Sequence, residues 1–226
     1  MKGQIKKKKI IAVIPAYNEE KHIAKVVRET KKYVDKVIVV DDASTDETGN
    51  LARKAGAIVL RHEINIGLGG TLKTGCDGAL ILGADIIITL DGDGQHDSHE
   101  IPKLVNKLIK TKSDAVFGER PFNKTMPFVK KMGNRFFHIF SKYIFGIKVK
   151  DTQTGFRIFT SKTYKKIRWE SSDYSVASEM LINAENHNLK YMPQEVSTIY
   201  YENQKGTTII DGIKIANKML NLKFNR

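Results

Sequence analysis

Ala84-Asp85-Ile86-Ile87-Ile88-Thr89-Leu90-Asp91-Gly92-Asp93-Gly94-Gln95-His96 runs from a stretch of apolar residues straight into a pair of acids. The run over 86–90 has the length and composition of a strand buried on both faces, the kind found in parallel sheets covered by helices. Asp91 and Asp93 follow where that strand runs out, spaced i, i+2. Hard divalent cations prefer oxygen ligands, and Mg²⁺ or Mn²⁺ is usually held by one or two carboxylates together with substrate phosphates. Asp-Gly-Asp at a strand end therefore suits the docking of a metal diphosphate, with glycine letting both carboxylates lean toward one ion. An acidic turn is the plainer alternative, because Asp and Gly populate turns freely.

Outward from this stretch, strand and helix signals alternate. Residues 9–15, 37–40 and 57–60 read as strands. Asn18 is expected to cap a helix whose apolar face is Ile23, Val26, Val27 and Thr30. Ser44 and Glu47 have capping-box spacing and open a helix that closes at Gly56. Residues 68–82 read as a helix despite their glycines. This alternation predicts an α/β fold with a single, mostly parallel sheet flanked by helices on both faces, its ligands gathered at the strands' carboxyl ends. Three of those ends carry polar clusters, Ala16-Tyr17-Asn18-Glu19, Asp41-Asp42-Ala43-Ser44 and Asp91 to Gln95. In an open α/β sheet the three converge on one crevice, which makes the acidic turn a candidate site.

The second half is less regular. Residues 114–118 and 156–159 read as strands, and 130–145 as a helix with Phe136, Phe137, Phe140 and Tyr143 among Lys130, Lys131, Arg135 and Lys142. Residues 209–222 read as a basic amphipathic helix with Ile209, Ile213, Ala216 and Leu220 at helical spacing. There is no internal repeat, low-complexity linker or domain boundary, so residues 1–226 are expected to form one domain.

The lone cysteine, Cys76, allows no internal disulfide, which fits a reducing cytosolic setting. The basic N-terminus has no apolar signal core, and no run of about 18 apolar residues spans a membrane. A net charge of +13 admits three partner classes: nucleic acid, an anionic membrane surface or phosphorylated substrates. A nucleic-acid-binding protein would explain the charge and leave the acidic strand ends unexplained, because acid-lined crevices repel phosphates unless a metal intervenes.

Val13-Ile14-Pro15-Ala16-Tyr17-Asn18-Glu19-Glu20, Val40-Asp41-Asp42-Ala43-Ser44-Thr45-Asp46-Glu47-Thr48, Asn65-Ile66-Gly67-Leu68-Gly69-Gly70 and Asp91 to His96 occur in that order. In order and spacing they resemble family 2 glycosyltransferases, and within them the dolichyl-phosphate or polyprenyl-phosphate sugar synthases. The resemblance implies a GT-A fold, an Mg²⁺ or Mn²⁺ cofactor, and inverting transfer of a sugar from a nucleotide-sugar donor to a lipid phosphate. It implies a nucleotide-binding half at about 9–118 and an acceptor half at about 119–226. Carried over by position, Pro15, Ala16, Tyr17, Glu19, Asp42, Asp91, Gly92 and Asp93 make the nucleotide site, with Asp42 contacting the base or ribose. Asp91, Asp93 and Gln95 make the metal set. Arg120, Arg135, Arg157 and Lys205 fall where the acceptor phosphate is bound, with Arg120 joining Asp91 and Asp93 in the catalytic group. Arginine suits that place because its planar fork binds two phosphate oxygens at once.

A phosphate acceptor is already largely anionic at neutral pH and needs no general base, whereas a hydroxyl acceptor does. Relatives acting on glycan or protein hydroxyls typically show a Glu-Asp pair, and here Ser178-Glu179-Met180 leaves Glu179 as the one candidate base. The processive signature Gln-x-x-Arg-Trp is also missing, since Lys165 stands where its glutamine would be. Asp-Gly-Asp-Gly-Gln replaces the Asp-Ala-Asp-Leu-Gln of many mannose synthases, which leaves GDP-mannose and UDP-sugars both open as donors. The expected location is the cytoplasmic face of a membrane, held peripherally through the helices at 130–145 and 209–222. The oligomeric state is not written in these motifs.

Overall fold

The computed structural model describes residues 8–121 and 128–199, with Asn217, Met219 and Leu220. In chain order the elements are β1 (Ile10–Ala16), α1 (Ile23–Thr30), β2 (Lys36–Asp41), α2 (Thr48–Lys54), β3 (Ile58–Arg61), α3 (Gly67–Ile81) and β4 (Ile86–Thr89). A 3-10 turn at Ser98–Glu100 leads into α4 (Ile101–Thr111), β5 (Ala115–Glu119), α5 (Phe128–Phe145), β6 (Arg157–Thr160), α6 (Ser161–Ile167), α7 (Val176–Asn186) and β7 (Tyr191–Glu195).

These strands build one sheet of seven, in the order β3-β2-β1-β4-β6-β5-β7. Only β6 runs against the rest, paired antiparallel to β4 on one side and to β5 on the other. The carboxyl ends of β1, β2 and β4 therefore share an edge with the start of β6, and the loop entering β6 arrives beside Asp91. That single reversal positions the site.

Both faces of the sheet are covered, as the apolar strand runs require. Ile11 and Val13 point to one face with Val40, Ile87, Phe117 and Phe159, where Leu72, Cys76, Tyr164, Trp169 and Met180 complete the same core. Ala12 and Ile14 point to the other with Val39, Ile88 and Ile158, under Ile23, Val27, Leu104 and Leu108. Each Ile or Val fully withdrawn from water contributes about 1.5–3 kcal/mol.

Two expected caps are not formed. Asn18 adopts φ 57, and its Oδ1 accepts from the Thr45 backbone N–H at 2.9 Å, tying the end of β1 to the loop after β2. Helix α1 then starts at Ile23 with His22 before it and no side-chain cap. Ser44 likewise spends its hydroxyl on the Asn18 backbone N–H at 3.0 Å, and α2 opens later, where Asp46 Oδ1 accepts from the Thr48 N–H at 2.9 Å. In both cases a loop-to-loop hydrogen bond outcompetes the local one. Gly56 does close α2, at φ 92. Helices α4, α6 and α7 and strand β7 are additions to the sequence reading.

Helix α5 covers the expected 130–145. Phe140 and Phe145 pack edge to face at 6.1 Å and rest on the core, whereas Met132, Arg135, Ile139, Lys142 and Tyr143 are exposed. Phe136 and Phe137 fall outside the described side chains, and the expected helix at 209–222 lies outside the described residues except Asn217, Met219 and Leu220, of which Met219 is buried. Among the described residues no helix is long and apolar enough to cross a membrane.

The glycines of α3 are explained by close approach. A Cβ on Gly69 would lie 1.9 Å from the Ser171 carbonyl oxygen, and the Gly69 N–H donates to the Ser172 carbonyl at 2.7 Å. Trp169 Nε1 donates to the Gly69 carbonyl at 2.8 Å from the same side. Gly69→Ala should therefore force the backbone of 171–172 away and cost about 1–3 kcal/mol. Urea denaturation with an unchanged m-value would register this as a lower midpoint, and a wild-type midpoint would contradict the contact.

Candidate active site

Each strand end in the crevice does a different job. Asp41, fully buried at the end of β2, pairs with Arg61 at 2.5 Å and accepts from the Ser44 N–H at 2.9 Å. Asp42 is 3% exposed, and its oxygens accept from the Ile66 N–H at 3.0 Å and the Gly67 N–H at 2.9 Å and meet His62 Nδ1 at 2.8 Å. His62 Nε2 continues to Thr74 Oγ1 at 3.0 Å. Where the resemblance implies a contact with base or ribose, the Asp42 carboxylate here is turned to the 65–67 loop and shapes the crevice through it. Pro15, Ala16 and Gly92 lie together in the floor, since a Cβ on Gly92 would touch the Pro15 carbonyl at 3.0 Å and the Ala16 Cβ at 3.4 Å. Tyr17 stands beside them, half exposed.

The acids gather beyond this floor. Asp91 Oδ2 meets His96 Nε2 at 3.0 Å, and 37% of the Asp91 side chain stays open to the crevice. On its other side a Cβ at Gly155 would stand 2.3 Å from Asp91 Oδ1, and the Gly155 carbonyl accepts from Thr89 Oγ1 at 2.8 Å. Only glycine leaves the carboxylate its room. Asp93 accepts from the Gln95 N–H at 2.9 Å and from Gln95 Nε2 at 2.6 Å. Gln95, expected as a third metal ligand, in this geometry donates to Asp93 and fixes its carboxylate.

Electrostatics separate these groups. Burial, then repulsion from Asp93, Asp46 and Asp91, pushes the Glu19 carboxyl up from 4.5 to about 7. Burial and the neighbouring Asp91 raise Asp93 above the ordinary aspartate value, against the hydrogen bonds from Gln95 and the nearby His96. Burial acts upward on Asp91 too, but the His96 hydrogen bond and charge, with Arg120 and Arg157, outweigh it and hold that carboxyl low. With Asp91 readily ionised, Glu19 and Asp93 resist ionising beside it, and a cation placed among them would relieve the crowding.

The arginines expected at the acceptor phosphate part company. Arg120 is held in a two-pronged pair with Asp151, Nε to Oδ2 at 2.5 Å and a terminal nitrogen to Oδ1 at 3.0 Å. Burial opposes ionisation of Asp151, yet the Arg120 charge and hydrogen bonds hold its carboxyl low. Arg157 is 2% exposed and donates to the carbonyls of Thr154 (2.8 Å), Ala177 (2.7 Å) and Thr152 (3.1 Å), and to Met180 Sδ (3.1 Å). It lies over the Phe117 ring at 5.3 Å, and burial brings its pKa down to about 10, against support from Asp151 and Asp91. Its fork is thus spent inside the protein, holding the 152–154 loop to α7, and it is not presented to an acceptor. Arg135 is exposed on α5, and Lys205 lies outside the described residues.

Glu179, the candidate base for a hydroxyl acceptor, is fully buried. It accepts from the Glu170 and Ser171 N–H groups at 3.0 Å each and from Ser171 Oγ at 2.5 Å. The residues whose roles the sequence reading missed are His96, His62 and Gly155. A histidine directly after Gln95 was the one local signal available.

The donor set fits a hard divalent cation. Asp91 and Asp93 offer carboxylate oxygens, Gly155 leaves space at Asp91, and the crowding with Glu19 is relieved by positive charge. Among the described residues no group of three or more His, Cys, Asp or Glu is spaced to enclose an ion, so further ligands would come from water and substrate phosphates, as Mg²⁺ prefers.

Residues 11–169 match the family model described as glycosyl transferase family 2. The chain belongs to glycosyltransferase family 2. A UDP-N-acetylglucosamine:dolichyl-phosphate N-acetylglucosaminyltransferase of Methanococcus voltae is 34% identical over 245 residues, spanning 97% of this chain and 98% of that protein. A dolichyl-phosphate hexose transferase of Haloferax volcanii is 29% identical over 210 residues, 89% of this chain and 86% of the other. Glucosyl-3-phosphoglycerate synthase from Mycobacterium tuberculosis, solved with Mn²⁺, UDP-glucose and phosphoglyceric acid, superposes with a TM-score of 0.73 at 18% identity, covering 97% of this chain and 79% of that one. That likeness shows the GT-A fold. This family 2 glycosyltransferase is thereby related to polyprenyl-phosphate sugar transferases.

The Glu19 shift sets a pH dependence. A carboxyl raised on folding favours the folded state most below 4.5 and loses that contribution as pH rises through about 7. Melting temperatures of the metal-free enzyme and Glu19→Gln should therefore diverge between these limits, the variant gaining relative to wild type toward neutral pH. Parallel curves would mean that Glu19 is not crowded.

Proposed function

We propose that this glycosyltransferase moves a sugar from a nucleoside diphosphate, a UDP-sugar before GDP-mannose, to the phosphate of a dolichyl or other polyprenyl carrier, with inversion. The reading is carried by one juxtaposition: the carboxylate Asp91, beside Asp93, lies within electrostatic reach of Arg120, which Asp151 holds in a bidentate pair. An acid pair suited to a metal diphosphate thus faces a guanidinium suited to a second phosphate.

Residues 9–118 form the donor half in this reading and 119–226 the acceptor half. Pro15, Ala16, Tyr17, Glu19 and Gly92 line the nucleotide, Asp42 acts through the 65–67 loop, and Asp91 and Asp93 would hold Mg²⁺ or Mn²⁺. The cation, when bound, neutralises the charge growing on the departing diphosphate. Arg120 and the exposed Arg135 orient the acceptor phosphate. An oxygen of that phosphate bonds to the anomeric carbon as the bond to the nucleoside diphosphate breaks. A phosphate of second pKa near 6 is already anionic and loses no proton in the step. Glu179, enclosed by the 170–171 loop, supports this over a hydroxyl acceptor, and the Methanococcus voltae relative supports UDP-N-acetylglucosamine as the first donor to assay.

The lipid is met from the cytoplasmic side through α5, whose Met132, Arg135, Ile139, Lys142 and Tyr143 recur at helical spacing, Tyr143 being 79% exposed. Each cation near an acidic leaflet adds about 1 kcal/mol of attraction. Vesicles containing anionic lipid should therefore float the wild-type enzyme at low salt, and Arg135→Glu with Lys142→Glu should abolish flotation; equal flotation of the two would remove α5 from the membrane contact.

For the chemistry, Asp93→Asn should lower transfer from UDP-N-acetylglucosamine to polyprenyl phosphate on the order of 100-fold or more, since the lost metal contribution is several kcal/mol. Arg120→Lys, which keeps charge and loses the fork, should raise KM for the lipid phosphate about tenfold more than it lowers kcat. Full activity in Asp93→Asn would overturn the assignment. Transfer to soluble glycans in place of lipid phosphate would redirect it to a hydroxyl acceptor.

A further inference from the structure

His96 is the residue of the acidic loop that the proposed function leaves without a role. Its ring is buried, lies 5.2 Å from the Phe156 ring and points Nε2 at Asp91 Oδ2, 3.0 Å away. An ionised carboxylate only accepts, so Nε2 carries the hydrogen. The other nitrogen, Nδ1, is buried with no hydrogen-bond partner among the described residues. The ring is therefore placed for Asp91 even though its second nitrogen goes unsatisfied.

The backbone explains how that placement is enforced. His96 pairs with Thr198 in an isolated antiparallel bridge, and the Ile199 N–H donates to the Gln95 carbonyl at 3.0 Å. Ser197 is tied to the same region, its N–H on Glu100 Oε2 at 2.9 Å, and the Val196 N–H donates to the Glu119 carbonyl at 2.9 Å. Residues 196–199 thus run along the acidic loop as a short brace leaving β7. Asp91 is confined from two sides, by Gly155 on Oδ1 and by His96 on Oδ2.

We propose that His96 is a positioning residue of the metal centre. Its Nε2–H, held in place by the 196–199 brace and by Phe156, aims the Asp91 carboxylate so that its free lone pairs converge with those of Asp93 on one divalent cation. This rests on the reading of Asp91 and Asp93 as cation ligands. Partners that orient a ligating group through a hydrogen bond typically change metal affinity 10- to 100-fold when removed.

The test measures Mn²⁺ affinity directly, by the electron paramagnetic resonance signal of free Mn²⁺ in the presence of UDP, on the full chain. Glutamine places its amide nitrogen where His Nε2 stands, and asparagine places its own near the Nδ1 position, out of reach of Asp91. His96→Gln should bind Mn²⁺ within roughly threefold of wild type, and His96→Asn and His96→Leu should bind about 10- to 100-fold more weakly. Melting temperatures identify the folded variants, and if His96→Leu does not fold, the Gln and Asn pair decides alone. Wild-type affinity in folded His96→Asn overturns the positioning role, because a merely structural histidine would give that result. Asp93→Ala separates the two levels. If it loses Mn²⁺ while every His96 variant keeps it, only His96 has been misread; if it binds as wild type does, or wild type takes no Mn²⁺, the cation site itself fails and the positioning role with it.

Discussion

The site depends on β4 having different neighbours on its two sides. On one it pairs parallel with β1, Ile87 opposite Ile11, and on the other antiparallel with β6, Ile87 opposite Phe159. The parallel neighbour brings the carboxyl ends of β1 and β2 to the same edge as Asp91. The antiparallel neighbour reverses the chain there, so that the loop carrying Asp151 to Gly155 enters the sheet beside Asp91 and not at the opposite edge. A parallel β6 would carry that loop, with Asp151, to the opposite edge, away from Asp91 and from Arg120 at the end of β5.

Charge follows this geometry. Acids that crowd one another at the edge, Glu19, Asp91 and Asp93, are answered from the β6 side by Arg120 and Arg157, with Asp151 between. Arg157 acts entirely within the protein, keeping its charge at neutral pH despite burial because Asp151 and Asp91 support it. Arg120, paired through its fork with the buried Asp151, keeps a fifth of its side chain exposed. The two arginines thus differ in burial and in hydrogen-bond partners: Arg157 is spent on backbone carbonyls in the interior, while Arg120 is partly exposed beside Asp151.

The parts of the fold visible in the sequence were those in which a residue's neighbours along the chain decide its fate. Strands β1, β2 and β4 are sheathed on both faces, so their apolar runs are uninterrupted, and the polar residues that follow them mark one edge. The sheet class and the GT-A resemblance follow from that regularity. What stayed hidden depended on partners distant in the chain. Asn18 and Ser44 look like caps and instead tie the adjacent loops after β1 and β2 to each other. Arg157 carries the same letter as Arg120, and only the packing of Phe117 and α7 around it shows that it faces inward. The reversal of β6 left no local trace, because Arg157 to Thr160 alternate as any strand does. His96 read as the tail of an acidic motif until Thr198 and Phe156 appeared beside it.

The joint between α3 and residues 169–172 has a consequence for how such a molecule can diversify. Every hydrogen bond in it has a main-chain group on at least one side: the Gly69 N–H on the Ser172 carbonyl, the Trp169 indole on the Gly69 carbonyl, and the Glu170 and Ser171 amides on Glu179. Backbone atoms are the same whatever side chains surround them. Substitutions elsewhere on the surface can therefore accumulate without loosening this seam, so long as Gly69, Trp169 and Glu179 are kept.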